Sequence, residues 1–293
     1  MGSGARETSG GREVIAVLCA LAVLAADPPP PSAEPVLAFA DALLLHGDPE
    51  RAIDEYTRYL FSCGECARAP YAELQLAEAL RRTGRPAKAA VRDREIAAKW
   101  PDSPEGHEAA RALGADWERA GDERAASDAY REYAMAHQGE ADSIEQARLA
   151  VRTALRAHDA HRVELGVPLV PDLAPLPLAL KNSPARHRSR AVAGVLAAIL
   201  PGSGHLYCGE WSNAFAAFST NALFLGGAAI AANKKEWAVA GVAGAAEVFW
   251  YGGNVIGAIN AADRFDARAE DRRWLDAEKK FLPAPSLGIS FRF

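Results

Sequence analysis

Lysine and cysteine are scarce in this chain, and it has no excess of basic over acidic residues. Of its 293 residues, seven are lysine and four are cysteine, and the formal net charge at pH 7 is −5. No stretch interleaves several Lys or Arg residues with aromatic residues, as a nucleic-acid-binding surface would require. The composition therefore argues against nucleic acid as a partner.

Sequence patterns of catalysis are lacking as well. No Gly-Lys-Ser or Gly-Lys-Thr follows a glycine-rich turn, so a phosphate loop is not expected. No Ser-His-Asp order, carboxylate pair or cluster of metal ligands stands out. We therefore expect a protein that is not an enzyme, with no catalytic residue, no cofactor and no metal.

Two of the four cysteines, Cys63 and Cys66, form a CxxC pair. A zinc site would need further ligands nearby, and a thioredoxin-like site would need a βαβ pattern around the pair. In an oxidising compartment the two thiols would close a small disulfide loop. A structural disulfide is the favoured interpretation, and a metal or redox role or two idle thiols are the alternatives.

The N-terminus has the order of a secretory signal peptide. Arg6 and Arg12 precede an apolar run from Val14 to Ala26, and four prolines begin at Pro28. A charged region, a short apolar region and small residues at the cut are typical of such signals. The pattern predicts a signal peptide over residues 1–26 and a Pro-rich linker over 27–34, with an uncleaved anchor as the alternative.

A repeat follows, in which glycines recur every 37 residues and each is followed five positions later by alanine. A tyrosine stands nine residues after the glycine in the first and third units, whereas Asp93 stands there in the second. The repeat anchors are Gly47, Ala52, Tyr56, Gly84, Ala89, Gly121, Ala126 and Tyr130.

Each unit predicts a helix, a tight turn and a second helix. The glycine would end the first helix in a left-handed conformation, and the small alanine would let the two helices approach closely. We expect an all-α repeat domain over residues 35–165. A final helix from about 141 to 163 would cap the array, because no glycine stands at the next position of the period.

These anchors resemble the tetratricopeptide (TPR) pattern, and the segment from Lys99 to Pro104 is similar to the link between repeats in TPR proteins of the bacterial envelope. The family repeat is 34 residues long. The longer period here implies longer links between helix pairs. The resemblance implies stacked helical hairpins with a groove that binds a segment of another protein.

The second half of the chain begins with a segment rich in proline, residues 166–187, which predicts a semi-rigid linker. Three apolar runs follow, at 191–200, 213–232 and 237–259, and the last two are long enough to cross a bilayer. The sequence predicts a membrane domain over 188–266, made of a short interfacial or re-entrant helix and a two-helix hairpin. A polar helix and an apolar tail would occupy 267–293. A soluble core remains the alternative, because Ala and Gly contribute little to membrane insertion.

The turn before the hairpin resembles the P-G-x-G-Q-x-Y-x-G signature of small bacterial membrane domains of the TM2 type. The matching residues are Pro201, Gly202, Gly204, His205, Tyr207 and Gly209. His205 stands where the family favours glutamine. The resemblance implies a membrane domain and no catalytic activity. His205 itself is expected to be a hydrogen-bonded structural residue.

Three polar residues in the last apolar run, Glu247, Tyr251 and Asn254, are spaced so that they share one helix face. An ionisable residue at membrane depth is a functional candidate by default. The alternative is a neutral or paired Glu247 that joins the hairpin to Asn221, Thr220 or His205. Small residues four apart, Gly253 with Gly257 and Ala222 with Gly226, predict close helix packing or a homo-oligomer.

At the C-terminus apolar residues alternate, at Leu287, Ile289, Phe291 and Phe293. One strand cannot form a barrel. The tail either adds a strand to the sheet edge of another protein or is an ordinary apolar tail.

Together these patterns predict a non-enzymatic scaffold or adaptor of the bacterial cell envelope. Its partners would be another envelope protein or peptide segment and membrane lipid. A small oligomeric channel built around Glu247 is the alternative. The signal peptide favours an inner-membrane protein with its repeats in the periplasm, or one associated with the outer membrane, although the basic cluster at 181–190 favours the cytoplasm by the positive-inside rule.

Overall fold

The computed structural model describes residues 34–63 and 66–283. In these ranges it contains thirteen α-helices, two short 3₁₀ helices and no strand. The predicted all-α class is confirmed. The predicted signal peptide, the linker up to residue 33 and the alternating tail lie outside the described residues. The chain divides into two compact units, residues 1–109 and 110–293.

The first unit contains two helical hairpins and the start of a third. The first hairpin pairs α1 (Glu34–Leu45) with α2 (Pro49–Cys63), and the second pairs α3 (Ala69–Arg82) with α4 (Pro86–Lys99). The next helix, α5 (Pro104–Arg119), begins here and continues into the second unit.

The turns of these hairpins form at the glycines that the period identifies. Gly47 and Gly84 have φ of +82° and +72°, a left-handed conformation that glycine adopts without strain. The backbone amide of the residue after each glycine donates a hydrogen bond to a carbonyl near the end of the first helix, as from Asp48 N to Leu43 O at 2.9 Å. Ala52 and Ala89 are fully buried. The local sequence alone therefore sets these turns.

The second unit continues the repeat with α6 (Glu123–Ala136), after Gly121 at φ +80°. Asp122 caps this helix by accepting a hydrogen bond from the Ala125 amide at 2.9 Å. Ala126 is fully buried. The third hairpin is thus built like the first two.

The predicted capping helix over 141–163 is wrong, because this segment forms a fourth hairpin. It consists of α7 (Ser143–Arg156) and α8 (Ala160–Gly166). His158, which lies 37 residues after Gly121, takes the left-handed conformation at φ +53°. Its ring stacks on Trp274 with 5.5 Å between centroids, and Asp159 caps α8. The period therefore continues without its glycine, and a tertiary contact accompanies the strained residue.

The predicted linker over 166–187 is also wrong, because most of this segment is part of the core. It forms two 3₁₀ helices, Val167–Leu169 and Pro171–Leu173, and the helix α9 (Leu176–Asn182). Each begins with a proline at its first or second position, where no intrahelical N–H is needed. The apolar residues of this segment are buried in one cluster with residues of α7 and α8: Val167, Val170, Leu173, Leu176 and Leu180.

Four helices complete the second unit: α10 (Arg190–Ile199), α11 (Ser203–Tyr207), α12 (Trp211–Asn233) and α13 (Trp237–Phe281). The predicted hairpin is present, since α12 packs on α13. The predicted boundary at residue 266 is not a structural break, because α13 is one helix of 45 residues. Its last turns place Trp274 in the cluster that α7, α8 and α9 form, and Leu282, which follows the helix, lies in the same cluster.

Among the described residues, one helix, α12, is both long and apolar enough to span a membrane, by length and composition alone. The sequence predicts two such helices. The second apolar run is only the first half of α13, and its glycines, Glu247 and Asn254 lower its mean hydropathy.

The hairpin of α12 and α13 has the opposite arrangement from a helical hairpin of a soluble protein, with large apolar side chains exposed and small or polar ones buried. The buried side chains of α12 are small or polar: Ala214, Ala217, Asn221 and Ala231. The exposed side chains include large apolar ones on both helices: Phe215, Phe218, Leu223, Leu225, Ile230, Val239, Val242, Val248, Phe249 and Ile256. A protein in water rarely exposes so large an apolar surface without something to cover it.

Substitution of Trp274 tests whether α13 holds the segment after α7 in the core. Replacing it with alanine should remove about 3–5 kcal/mol of stability, because a large buried side chain leaves a cavity. Hydrogen exchange of the full chain in detergent should then accelerate over residues 160–182. The neighbouring exposed Leu275→Ala change is the matched control. Unchanged exchange in the Trp274 variant would mean that the segment is held independently of α13.

Candidate functional site

The repeats carry buried polar pairs at one recurring position. Nine residues after the glycine, Tyr130 donates a hydrogen bond to Glu118, with its hydroxyl 3.0 Å from Oε2. At the same position of the second repeat, Asp93 accepts from Arg81 at 2.5 Å. Arg81 and Glu118 both stand three residues before their glycine. The unusual Asp93 is thus matched by an arginine where the third repeat has a glutamate.

The first repeat satisfies its tyrosine in another way. The Tyr56 hydroxyl donates a hydrogen bond to Asp41 Oδ1 at 2.7 Å. Asp41 lies on the first helix of the hairpin, about one turn before the position that Arg81 and Glu118 occupy in their repeats. Burial, followed by the Asp41 carboxylate, raises the pKa of Tyr56 above its ordinary value, so that the phenol stays protonated. The alanine and tyrosine anchors therefore lie in the interior of their hairpins and hold the helices together, whereas the glycine anchors lie exposed at the turns.

One face of α3 in the second repeat is partly accessible. Tyr71, Gln75 and Glu78 are half-buried along it, and Arg82 at its end is exposed. Arg82 donates to the Leu44 carbonyl at the end of α1 with a distance of 3.1 Å, so α1 and α3 are neighbours. This polar face, defined by Tyr71, Gln75, Glu78 and Arg82, is called the α3 face below.

The two cysteines of the CxxC pair are joined as a disulfide, with their Cα atoms 5.5 Å apart. The pair links the end of α2 to the segment that leads into α3. The Tyr59 hydroxyl lies 3.0 Å from Cys66 Sγ. The pair therefore lies against the core of the first unit.

At one end of the apolar hairpin, the buried carboxylate of Glu210 interacts with side chains from three helices. Arg264 on α13 donates to Glu210 from Nε at 2.9 Å and from Nη2 at 2.8 Å. Asn213 on α12 donates at 2.9 Å, and His205 Nδ1 on α11 lies 3.2 Å away. The hydrogen bond from Arg264 lowers the pKa of Glu210 well below its usual range against the opposing effect of burial, with Asn213 and His205 adding to it. Glu210 is therefore an anion.

Glu210 is not among the candidate residues that the sequence indicates. Its main partner lies 54 residues later, so no local spacing connects the two. His205, by contrast, is the hydrogen-bonded histidine that the sequence leads us to expect.

The glycines of the motif that ends in Gly209 permit close packing. Gly202 has φ +90°, and a Cβ there would lie 2.3 Å from the Ala214 carbonyl oxygen. A Cβ at Gly204 would lie 2.2 Å from the Ala193 carbonyl oxygen. Pro201 opens this turn, and the Tyr207 hydroxyl accepts from the Ser189 amide at 3.3 Å. Only glycine fits where the helices meet.

The three residues of the predicted polar face of α13 differ in their interactions. Tyr251 donates to the Ala198 carbonyl of α10 at 2.7 Å. Glu247 and Asn254 are buried, and among the described residues neither has a hydrogen-bond partner. The expected bonds from Glu247 to Asn221, Thr220 or His205 are therefore not formed.

The predicted small-residue pairs do not bring α12 and α13 together. Among the described residues, nothing lies within 4 Å of a Cβ placed at Gly226 or Gly253, and a Cβ at Gly257 would face the His205 ring. Close approach occurs instead at Gly202 and Gly204. Gly226 and Gly253 therefore face the surroundings of the hairpin and not another helix.

Comparison of the chain with family models, with curated proteins and with solved structures finds no match.

The pairing of Arg81 with Asp93 can be measured by a double-mutant cycle. Arg81→Met should lower the free energy of unfolding by about 3 kcal/mol or more, because it leaves a buried carboxylate without this cation. The double variant Arg81→Met/Asp93→Leu should lose less than Arg81→Met alone. Arg82→Met, at an exposed neighbour, should lose less than about 1 kcal/mol. Additive losses in denaturant unfolding would show that the two side chains do not interact.

The depressed pKa of Glu210 predicts that the stability of the protein depends on pH. Its folded-state pKa is depressed, so its contribution to stability is present above the unfolded-state value of about 4.5 and is lost as the pH falls below it. Glu210→Gln should therefore be less stable than the wild type at pH 7, and this difference should narrow below about pH 4.5. Denaturant unfolding in detergent at several pH values measures it. A difference that stays constant down to pH 3 would contradict an anionic Glu210.

Proposed function

We propose that this chain is a non-enzymatic adaptor of the bacterial cell envelope. TPR-like repeats bind a segment of another envelope protein, and the hairpin of α12 and α13 anchors them to a membrane. The observation that carries the proposal is the reversed hairpin surface, with large apolar side chains outside and small or polar ones inside.

The dimensions of the hairpin support membrane insertion. At 1.5 Å per residue, the 23 residues of α12 extend ~34 Å, enough for a hydrocarbon core of about 30 Å. Polar residues bound both ends: Lys234 and Lys235 at the turn, and Glu210 with Arg264 at the other end. Trp211 and Trp237 are exposed at the helix starts, where tryptophan favours the headgroup region.

In this proposal, α10 and α11 form a re-entrant element. Arg190 at the start of α10 pairs with Asp263 at the polar end, whereas Ala198 near its end meets Tyr251, twelve residues deeper along α13. The chain then turns at Gly202 and returns to Glu210 through α11. Since α10 has ten residues, it is too short to span but long enough to enter the bilayer partway.

The α3 face supports a protein partner. It is polar, lies beside α1 and carries an ion pair, in which Arg82 Nε lies 2.8 Å from Glu78 Oε1. Stacked helical hairpins present shallow surfaces that suit an extended or helical peptide better than a small molecule. With few repeats the affinity is modest, and anchoring to a membrane raises the effective concentration.

The proposed location is the inner membrane, with the repeats in the periplasm and Lys234 and Lys235 on the cytoplasmic side. The disulfide between Cys63 and Cys66 supports an oxidising compartment, since disulfides persist outside the cytosol. Association with the outer membrane is the alternative location.

A second candidate function is a small channel formed by several hairpins. The observation that favours it is Glu247, a buried carboxylate that lacks a hydrogen-bond partner among the described residues. Polar groups inside a membrane often mark ion pathways. Conductance of the reconstituted protein that disappears in Glu247→Gln would favour this function over the adaptor.

Membrane insertion and orientation can be tested together. A reporter that is active only outside the cytoplasm should be active when fused after Pro184 and inactive when fused after Lys234, because α12 separates the two sites. The chain should also remain in the membrane pellet after alkaline carbonate extraction. Release into the supernatant would remove the anchoring role, and equal reporter activity at both sites would contradict the orientation.

The α3 face can be tested by crosslinking in cells. A photoreactive residue at Gln75 should form a discrete adduct with one envelope protein. The same residue at Lys88, which is exposed on α4, is the matched control and should not. Adducts at Lys88 but not at Gln75 would place the partner elsewhere on the repeats.

A further inference from the structure

A cavity of about 350 Å³ lies between the end of α9, the segment that follows it and the last turns of α13. Among the described residues that line it, four are basic and one is acidic: Arg186, Arg272, Arg273, Lys280 and Asp276. We propose that this cavity binds the phosphate group of a small water-soluble phosphate ester. The cavity and its charge do not depend on membrane insertion. Only the choice of a water-soluble ester over a bilayer lipid rests on the insertion proposed above.

One of the four cations, Arg273, holds the walls of the cavity together. Its Nη1 donates to Glu270 Oε1 at 2.7 Å, and its Nη2 donates to the Leu180 carbonyl at 3.0 Å. The second bond joins α13 to α9, the two helices that enclose the cavity. Arg273 is therefore a positioning residue, and its guanidinium is already occupied by partners within the protein.

The other three cations have no acidic partner. Among the described residues, Arg186, Arg272 and Lys280 form no ion pair, whereas Arg264 on the same helix pairs with Glu210 at 2.8 Å. Arg186 lies 86 residues before Arg272, so the tertiary structure brings these charges to one cavity. A cleft lined by charge of one sign attracts and concentrates ions of the opposite sign. The arrangement therefore favours an anion between these three side chains.

Charge and size define the class of ligand. The three unpaired cations face one carboxylate, Asp276, so the cavity presents an excess of two positive charges. A phosphate monoester carries about −1.5 to −2 charge at pH 7, which matches this excess better than a single carboxylate does. The volume of about 350 Å³ lies near the lower limit of small-molecule pockets. Leu180, Ala277 and Phe281 supply an apolar wall, so the ester carries a small apolar group.

The position of the cavity separates it from the bilayer. Arg272 and Lys280 lie 8 and 16 residues beyond Arg264 at the polar end of the hairpin, which is ~12 and ~24 Å along α13. A helix tilt of about 40° reduces these heights to ~9 and ~18 Å. The headgroup layer on one side of a bilayer is only about 5–8 Å thick. The phosphate of a bilayer lipid therefore lies too low to reach these cations, whereas a dissolved ester reaches them.

Isothermal titration calorimetry tests the proposal, with phenyl phosphate as the probe and the full chain in a neutral detergent. Arg272→Gln and Lys280→Gln should each weaken binding about tenfold, because a charge-assisted hydrogen bond to the phosphate is lost. Lys279→Gln is the matched control and should leave the affinity unchanged, since Lys279 is exposed on the same helix and does not line the cavity. Asp276→Asn should instead strengthen binding, because it removes the acidic group of the described lining.

Competing ligands distinguish phosphate from other anions and a dissolved ester from a lipid. Benzoate should bind more weakly than phenyl phosphate because it carries a single charge. Inorganic phosphate should also bind more weakly, because it cannot use the apolar wall. After reconstitution in phosphatidylcholine vesicles, added phosphatidic acid should reduce phenyl phosphate binding no more than phosphatidylserine of matched surface charge does.

The results that would contradict the proposal are separate from one another. Unchanged affinity in Arg272→Gln and Lys280→Gln, or an equal loss in Lys279→Gln, would overturn the site. Benzoate that binds as tightly as phenyl phosphate would overturn the assignment to phosphate. Specific competition by phosphatidic acid would assign the cavity to a lipid headgroup and overturn the water-soluble ligand. Release of the chain by alkaline carbonate would overturn membrane insertion, whereas binding measured in detergent would still support the phosphate site.

Discussion

The ionised Glu210 carboxylate, held by Arg264 and approached by Asn213 and His205, is the interaction on which the second half of the molecule depends. It joins α11, the start of α12 and the middle of α13 at one point. Burying an ionised carboxylate costs several kcal/mol unless cations and hydrogen-bond donors surround it. Once it is in place, the close approaches at Gly202 and Gly204 follow, because the short α11 is held against its neighbours.

The helix α13 connects two environments that differ in polarity. Its first half exposes Val248, Phe249 and Ile256, whereas its last turns bury Trp274 against the fourth repeat. Ion pairs reinforce the second region, as between Arg156 and Glu278 at 3.1 Å. One uninterrupted helix therefore joins the apolar hairpin to the fourth repeat.

The four hairpins show how a repeat tolerates change at its anchors. Asp93 replaces a tyrosine, and Arg81 compensates for its charge. His158 replaces a glycine, and stacking on Trp274 accompanies its left-handed backbone. In both cases the backbone period is retained while the interactions differ. The stable feature of the repeat is therefore its geometry, and individual residues vary as long as each buried polar or strained group has a partner.

The sequence by itself determined the all-α class, the 37-residue period and the turns at Gly47, Gly84 and Gly121, because helix propensity and a left-handed glycine act over a few neighbouring residues. It also singled out His205 and the buried Glu247. Tertiary structure alone decided that the Pro-rich segment is core, that His158 forms a turn and that Glu210 is paired. The partners in these cases lie far apart in the chain, 54 residues between Glu210 and Arg264 and more than a hundred between His158 and Trp274. No local pattern carries such information, since a buried charge or a strained backbone is stabilised only after the fold brings its partner into contact.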